Sequence, residues 1–79
     1  MEVRKTHLQQ LRQKRGLTRK ALSELSGISI RTIECYEQKR RPIDGAGLEN
    51  LCLLAIALDC KVEDLIESEA LKRKYKAVK

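Results

Sequence analysis

Thr18-Arg19-Lys20-Ala21-Leu22-Ser23-Glu24-Leu25-Ser26-Gly27-Ile28-Ser29-Ile30-Arg31-Thr32-Ile33-Glu34-Cys35-Tyr36-Glu37 contains two helix starts and a helix stop in one short stretch. Thr18 and Ser29 are N-cap residue types, whose side-chain oxygen accepts from an amide one turn ahead. Gly27 suits the left-handed position that closes a helix. Ala21, Leu22 and Leu25 predict the inward stripe of the first helix. Ile33 and Tyr36, three apart, predict that of the second. Two short helices thus meet across only Ser26-Gly27-Ile28-Ser29, the pattern of a helix-turn-helix unit.

Further helices are predicted on either side. Thr6-His7-Leu8-Gln9 fits a capping box, with Thr6 accepting from the third helical amide and Gln9 reaching back. Leu8 and Leu11 share a face; Arg12, Lys14 and Arg15 follow where cations suit the helix terminus, and Gly16 is a suitable stop. Beyond the unit, residues 38–47 read as a loop carrying Lys39, Arg40, Arg41 and Pro42, with Asp44 as a cap for the next helix. That fourth helix is expected over about 46–58, with Leu48, Leu51, Leu54, Ala55 and Leu58 inward. A fifth begins near Val62, with Glu63 and Asp64 in its first turn and Val62, Leu65 and Ile66 inward. Residues 72–79 read as a basic tail or a frayed extension of that helix.

The 79 residues fit one domain, residues 1–71, and the tail. Two Tyr are the only aromatics, so the apolar supply is aliphatic and suits packed helices. Cys35, Cys52 and Cys60 form no CxxC pair, and the single His7 lies far from them in sequence. No metal, cofactor or disulfide framework is expected, and no nucleophile–base–orienter set suggests an enzyme. The longest apolar run, Leu51 to Leu58, is too short to span a membrane. Met1 to Thr6 lacks the apolar stretch of a secretory signal, and a cytoplasmic location is expected. The net charge of +6 is unevenly placed: residues 4–41 carry +8, residues 42–71 carry −6 and residues 72–79 carry +5. A basic segment beside an acidic one is the electrostatic footprint of a nucleic-acid binder. A merely lysine-rich, solvated surface would share that composition.

Several segments resemble the phage-repressor-like Cro/CI (XRE) family. Leu11 to Thr18 is similar to its opening and Ala21 to Ser29 to its second helix and turn. Thr32-Ile33 and Tyr36-Glu37 match its third helix, and Leu48 to Leu58 with Val62 to Leu65 its later ones. The likeness covers residues 6–67. It implies an all-α, compact five-helix lambda-repressor-like domain whose third helix enters the major groove of double-stranded DNA, a width a helix fits. The implied function is sequence-specific DNA binding by a transcriptional regulator, a repressor or autoregulator. A protein-interaction module, such as an antitoxin-type partner of a toxin or other regulator, is the alternative. Three features depart from the family. Arg19 stands where Gln is common, Lys39 where Gly is common, and the loop Pro42 to Gly47 is longer or built differently.

The resemblance puts base reading at Ile30, Arg31 and Cys35. Arg31 is the strong reader, since Arg to guanine is the commonest specific contact. Its competing role is an ion pair with Glu34, worth only about 0.2–0.5 kcal/mol. Ile30 is open between a thymine methyl and an intramolecular contact; Cys35 either faces bases or leaves room for them. Thr18, Arg19, Ser29, Thr32, Lys39, Arg40 and Arg41 are candidates for phosphate, Ser29 as a cap first. Arg12 and Glu37 correspond to a family ion pair joining the first and third helices. Leu53 and Ile56 lie off the inward stripe of the fourth helix. A helix apolar nearly all round is usually buried on more than one side, so these two are expected in a homodimer interface.

Overall fold

The computed structural model describes residues 5–78, with side chains through residue 74. Five α-helices occur in order: α1 (His7–Lys14), α2 (Arg19–Ser26), α3 (Ile30–Glu37), α4 (Leu48–Leu58) and α5 (Glu69–Val78). Single 3₁₀ turns lie at Ile43–Gly45 and Val62–Leu65. There is no strand among the described residues, so the expected all-α, five-helix architecture stands.

The helix starts obey their caps. The hydroxyls of Thr6, Thr18 and Ser29 accept from the amides of Gln9, Ala21 and Thr32 at 3.1, 3.0 and 3.2 Å. The side-chain amide that reaches back at α1 is that of Gln10, donating to the Lys5 carbonyl, rather than that of Gln9. Gly16 and Gly27 hold φ of 70° and 78°, the left-handed conformation in which a side chain would be strained.

The core is aliphatic. Leu8, Leu22, Ile33, Leu54, Leu58 and Leu65 are fully buried where α1 to α4 and the second 3₁₀ turn meet. Tyr36 joins them, its hydroxyl accepting from Asn50 Nδ2 at 3.3 Å. Two expected core positions are exposed instead. Leu25 is 62% exposed, because α2 buries the row Leu22–Ser26, where a small serine lets the turn fold back closely. Leu48 is 73% exposed, because the buried sector of α4 is centred on Leu51, Leu54 and Leu58 and its first turn projects past the core. Leu53 packs on the core edge, whereas Ile56 is 77% exposed.

The C-terminal third departs from the expected single fifth helix. Val62 to Leu65 forms only a 3₁₀ turn, Ile66 returns to extended backbone, and α5 starts separately after Ser68. Asp44 explains the break. It does not cap α4, which starts at Leu48 behind Gly47 without a side-chain cap. Its carboxylate instead accepts from the amides of Glu67 and Ser68, at 2.7 and 3.0 Å. Glu67 in turn accepts from the His7 amide at 2.6 Å, and His7 Nδ1 lies 2.9 Å from the Ile66 carbonyl. The loop after α3, the start of α1 and the entry to α5 are thereby tied together. Helix α5 contains Lys72, Arg73 and Lys74, so much of the basic run is helical. The side chain of Lys76 and the whole of Lys79 lie outside the described residues.

Hydrogen bonds to charged groups contribute about 1.5–3 kcal/mol each when buried, and Asp44 is half-buried. Asp44→Ala should therefore lower the unfolding free energy by about 2 kcal/mol in urea denaturation. A loss too small to resolve would show that α5 is held by its own contacts.

Candidate nucleic-acid interface

The helix-turn-helix unit is locked from inside. Ser23 Oγ donates to the Ile28 carbonyl at 2.6 Å, and the Ile28 amide donates to Ser26 Oγ at 3.2 Å. Gly27 between them donates its amide to the Ser23 carbonyl at 2.9 Å. Ile28 can thus enter the core while the backbone of the turn stays satisfied. The serines do not stand out in the sequence, although Ser26 sits four residues after Leu22, on the same helical face.

Glu37 connects the helices. Its carboxylate is fully buried and accepts three bonds. Arg12 of α1 donates through Nε to Oε2 at 2.7 Å and through Nη2 to Oε1 at 3.2 Å. Arg19 of α2 donates through Nε to Oε1 at 2.9 Å. Arg12 Nη1 also donates to the Leu17 carbonyl at 2.7 Å, so its fork is satisfied on both sides. The expected Arg12–Glu37 pair is present, with Arg19 as a third member for which the sequence suggests only a phosphate role. Arg19 Nη1 further lies 4.0 Å from Glu34.

With Ile33, Tyr36 and Glu37 buried, the opposite side of α3 faces out. Arg31 is exposed, Cys35 is half-buried on the same side, and Ile30 is exposed at the helix start. The rival Arg31–Glu34 ion pair does not form among the described residues, since Glu34 turns to Arg19. Ser29 Oγ and Thr32 Oγ1 lie 2.8 Å apart, so both hydroxyls are partly committed at the N-terminus of α3. Lys20 beside Arg19 is exposed and adds a cation that is absent from the sequence-based candidates.

The end of α3 is unusual. The Lys39 amide donates to the Tyr36 carbonyl at 3.2 Å and the Arg40 amide to the Cys35 carbonyl at 3.0 Å. These are the two bonds of a Schellman cap. Its left-handed position, normally glycine, is Lys39 at φ 62°. Among the described residues Asp59 is the other left-handed non-glycine, at φ 52°, but Asp is a tolerated type there. The chain turns at Lys39 into Arg40 and Arg41, and all three side chains are exposed.

The three cysteines are free and half-buried. Burial pushes the Cys60 thiol up from its ordinary value; Asp64 and Asp59 add to this and Arg15 opposes it. Among the described residues no helix is long and apolar enough to cross a membrane.

A family model described as Cro/C1-type HTH DNA-binding domain matches residues 7–70, from the first residue of α1 into the first turn of α5. The chain belongs to that family. It is a DNA-binding domain of the transcription-regulator kind. Comparison with curated proteins and with solved structures gives no match. In this Cro/C1-type domain the serine-locked turn and the buried triad together hold the outward face of α3 in place.

Removing one partner of a buried ion pair costs about 3–5 kcal/mol, whereas replacing both by apolar residues of similar size is often neutral. Arg12→Ala should therefore bring this small domain to the edge of unfolding. Arg12→Met with Glu37→Leu should melt well above the single variant, because Arg19 is a third exposed and can turn to water. Equal melting of the two would place the loss in packing rather than in an uncompensated charge.

Proposed function

We propose that the chain is a sequence-specific binder of double-stranded DNA that acts as a repressor or autoregulator, reading bases with α3 and holding phosphates with the segments around it. Arg31 is the principal reader, with bidentate donors for guanine. Ile30 offers an apolar surface to a thymine methyl, and Cys35 admits the base beside it. Thr18, Ser29 and Thr32 present hydroxyls and helix N-termini to phosphate. Arg19 keeps Nη2 for the same purpose while its Nε serves Glu37. Lys39, Arg40 and Arg41 supply the charge at the far end of α3. A compact body seated on promoter DNA represses by occupying it, and this needs no ligand.

The observation that carries this reading is Lys39. A left-handed non-glycine residue costs about 1–2 kcal/mol, and Gly16 and Gly27 avoid that cost at the corresponding ends of α1 and α2. Retaining Lys where Gly would be more stable is the behaviour of a residue kept for its side chain. Exposed beside the reading helix, an ammonium finds its natural partner in a phosphate.

The test is fluorescence anisotropy with purified protein on random duplex, and on duplexes selected from a fragment library, across a salt series. Affinity should fall steeply and linearly in log–log form. Neutralising Lys39, Arg40 and Arg41 together should reduce that slope by up to about three. Arg31→Ala should lose about 1–3 kcal/mol at one or two base positions while leaving random-duplex binding nearly intact. Lys39→Gly should melt higher than wild type and bind every duplex more weakly. Salt-independent binding, or a Lys39→Gly variant that gains stability with unchanged affinity, would contradict the proposal.

A further inference from the structure

The basic first half of the chain, residues 4–41, contains only three acids, Glu24, Glu34 and Glu37. Glu37 is fully buried and bonded to two guanidinium groups. Glu34 is the other acid of α3, and its surroundings differ. It follows Arg31 by three residues and Ile30 by four, so it neighbours both on the helix surface. Its side chain is 43% exposed. Among the described residues its one ion-pair contact is Arg19 Nη1 at 4.0 Å, beyond hydrogen-bond distance. Arg19 is itself anchored through Nε to Glu37 at 2.9 Å. The Glu34 carboxylate is thus drawn toward α2 by charge, with its lone pairs open.

A carboxylate on a surface that meets a polyanion opposes binding to every duplex alike, unless a base donates to it. An ionised carboxylate only accepts. In the major groove guanine and thymine present acceptors, adenine presents a donor beside its N7 acceptor, and cytosine presents the N4 donor with no acceptor of its own. Cytosine is the base whose edge fits. Three residues of helix span about 4.5 Å, close to the ~3.4 Å step between base pairs. That cytosine therefore belongs at or beside the base pair that Arg31 reads.

We infer that Glu34 is a specificity-determining residue of the DNA face, its carboxylate accepting from the N4 amino group of a cytosine and turning away duplexes with an acceptor there. Arg19 is a positioning residue. Held on Glu37, it keeps the Glu34 carboxylate on the α2 side and leaves Arg31 free for its own base. The inference rests on the DNA-binding reading and deepens it, because part of the selectivity is repulsive.

Duplexes selected from a random library by the full chain give the base preference at each position, and Arg31→Ala locates the position that Arg31 reads. Wild type should select a cytosine at or beside it. Replacing that cytosine by 2-pyrimidinone, which lacks the N4 amino group, should weaken wild-type binding about tenfold, the size of one base contact. Glu34→Ala and Glu34→Met put good helix formers without a strong acceptor at this position. Both should be indifferent to the replacement, lose the cytosine preference and bind random duplex more tightly than wild type. Both should melt close to wild type, since the Arg19 contact is long and partly exposed. Wild type indifferent to loss of the N4 amino group, or variants that gain equally on selected and random duplexes, would overturn the role of Glu34 and leave the DNA-binding reading intact. Wild-type binding that ignores both salt and sequence would overturn the two together.

Discussion

One carboxylate fixes the geometry on which the rest of this domain depends. Glu37 is the last residue of α3 and fully buried, and it receives N–H groups from Arg12 on α1 and Arg19 at the start of α2. A charge so placed tolerates no other arrangement, because each donor lost leaves part of a buried anion uncompensated. The role of the triad is registry. With Glu37, Ile33 and Tyr36 pinned inward, α3 cannot rotate, and Arg31 and Cys35 must face out. The serine-locked turn sets how α3 leaves α2, and the triad sets how it is turned about its own axis.

The fully buried triad contrasts with the half-buried network at the entry to α5. Asp44, Glu67 and His7 tie the loop after α3 to α1 and α5 through backbone amides and a carbonyl. This network lies nearer to water than the triad, and α5 gains its position from it more than from the core. A domain of this size buries little surface and has few stabilising contacts to lose. Against that background Lys39 is informative. Its left-handed backbone draws on a small reserve of stability at the point where the chain leaves α3.

Much of this was legible in the sequence. The caps at Thr6, Thr18 and Ser29 and the stops at Gly16 and Gly27 are local chemistry, fixed by a few adjacent atoms, and each stands where the residue types place it. The Arg12–Glu37 pair was legible only through family resemblance, since 25 residues separate its members. What the sequence concealed is non-local. Leu25 and Leu48 satisfy a helical stripe yet face out, because the centre of a buried sector depends on the neighbours that cover it. Asp44 looks like a cap for the next helix but serves one more than twenty residues away. Val62 to Leu65 has the acids of a helix start, but the chain extends again at Ile66. Of the candidate site, Arg31, Lys39, Arg40 and Arg41 are exposed as the pattern suggested, whereas Arg19 divides its donors between Glu37 and solvent.

On the proposed reading, the triad presents the outward face of α3, with the cationic turn after it, to DNA. Backbone amide chemical shifts of isotope-labelled protein titrated with a selected duplex test it most directly. The largest shifts are expected at residues 29–35 and 39–41, with smaller ones at the start of α2. Shifts concentrated on α5, with α3 unmoved, would contradict it.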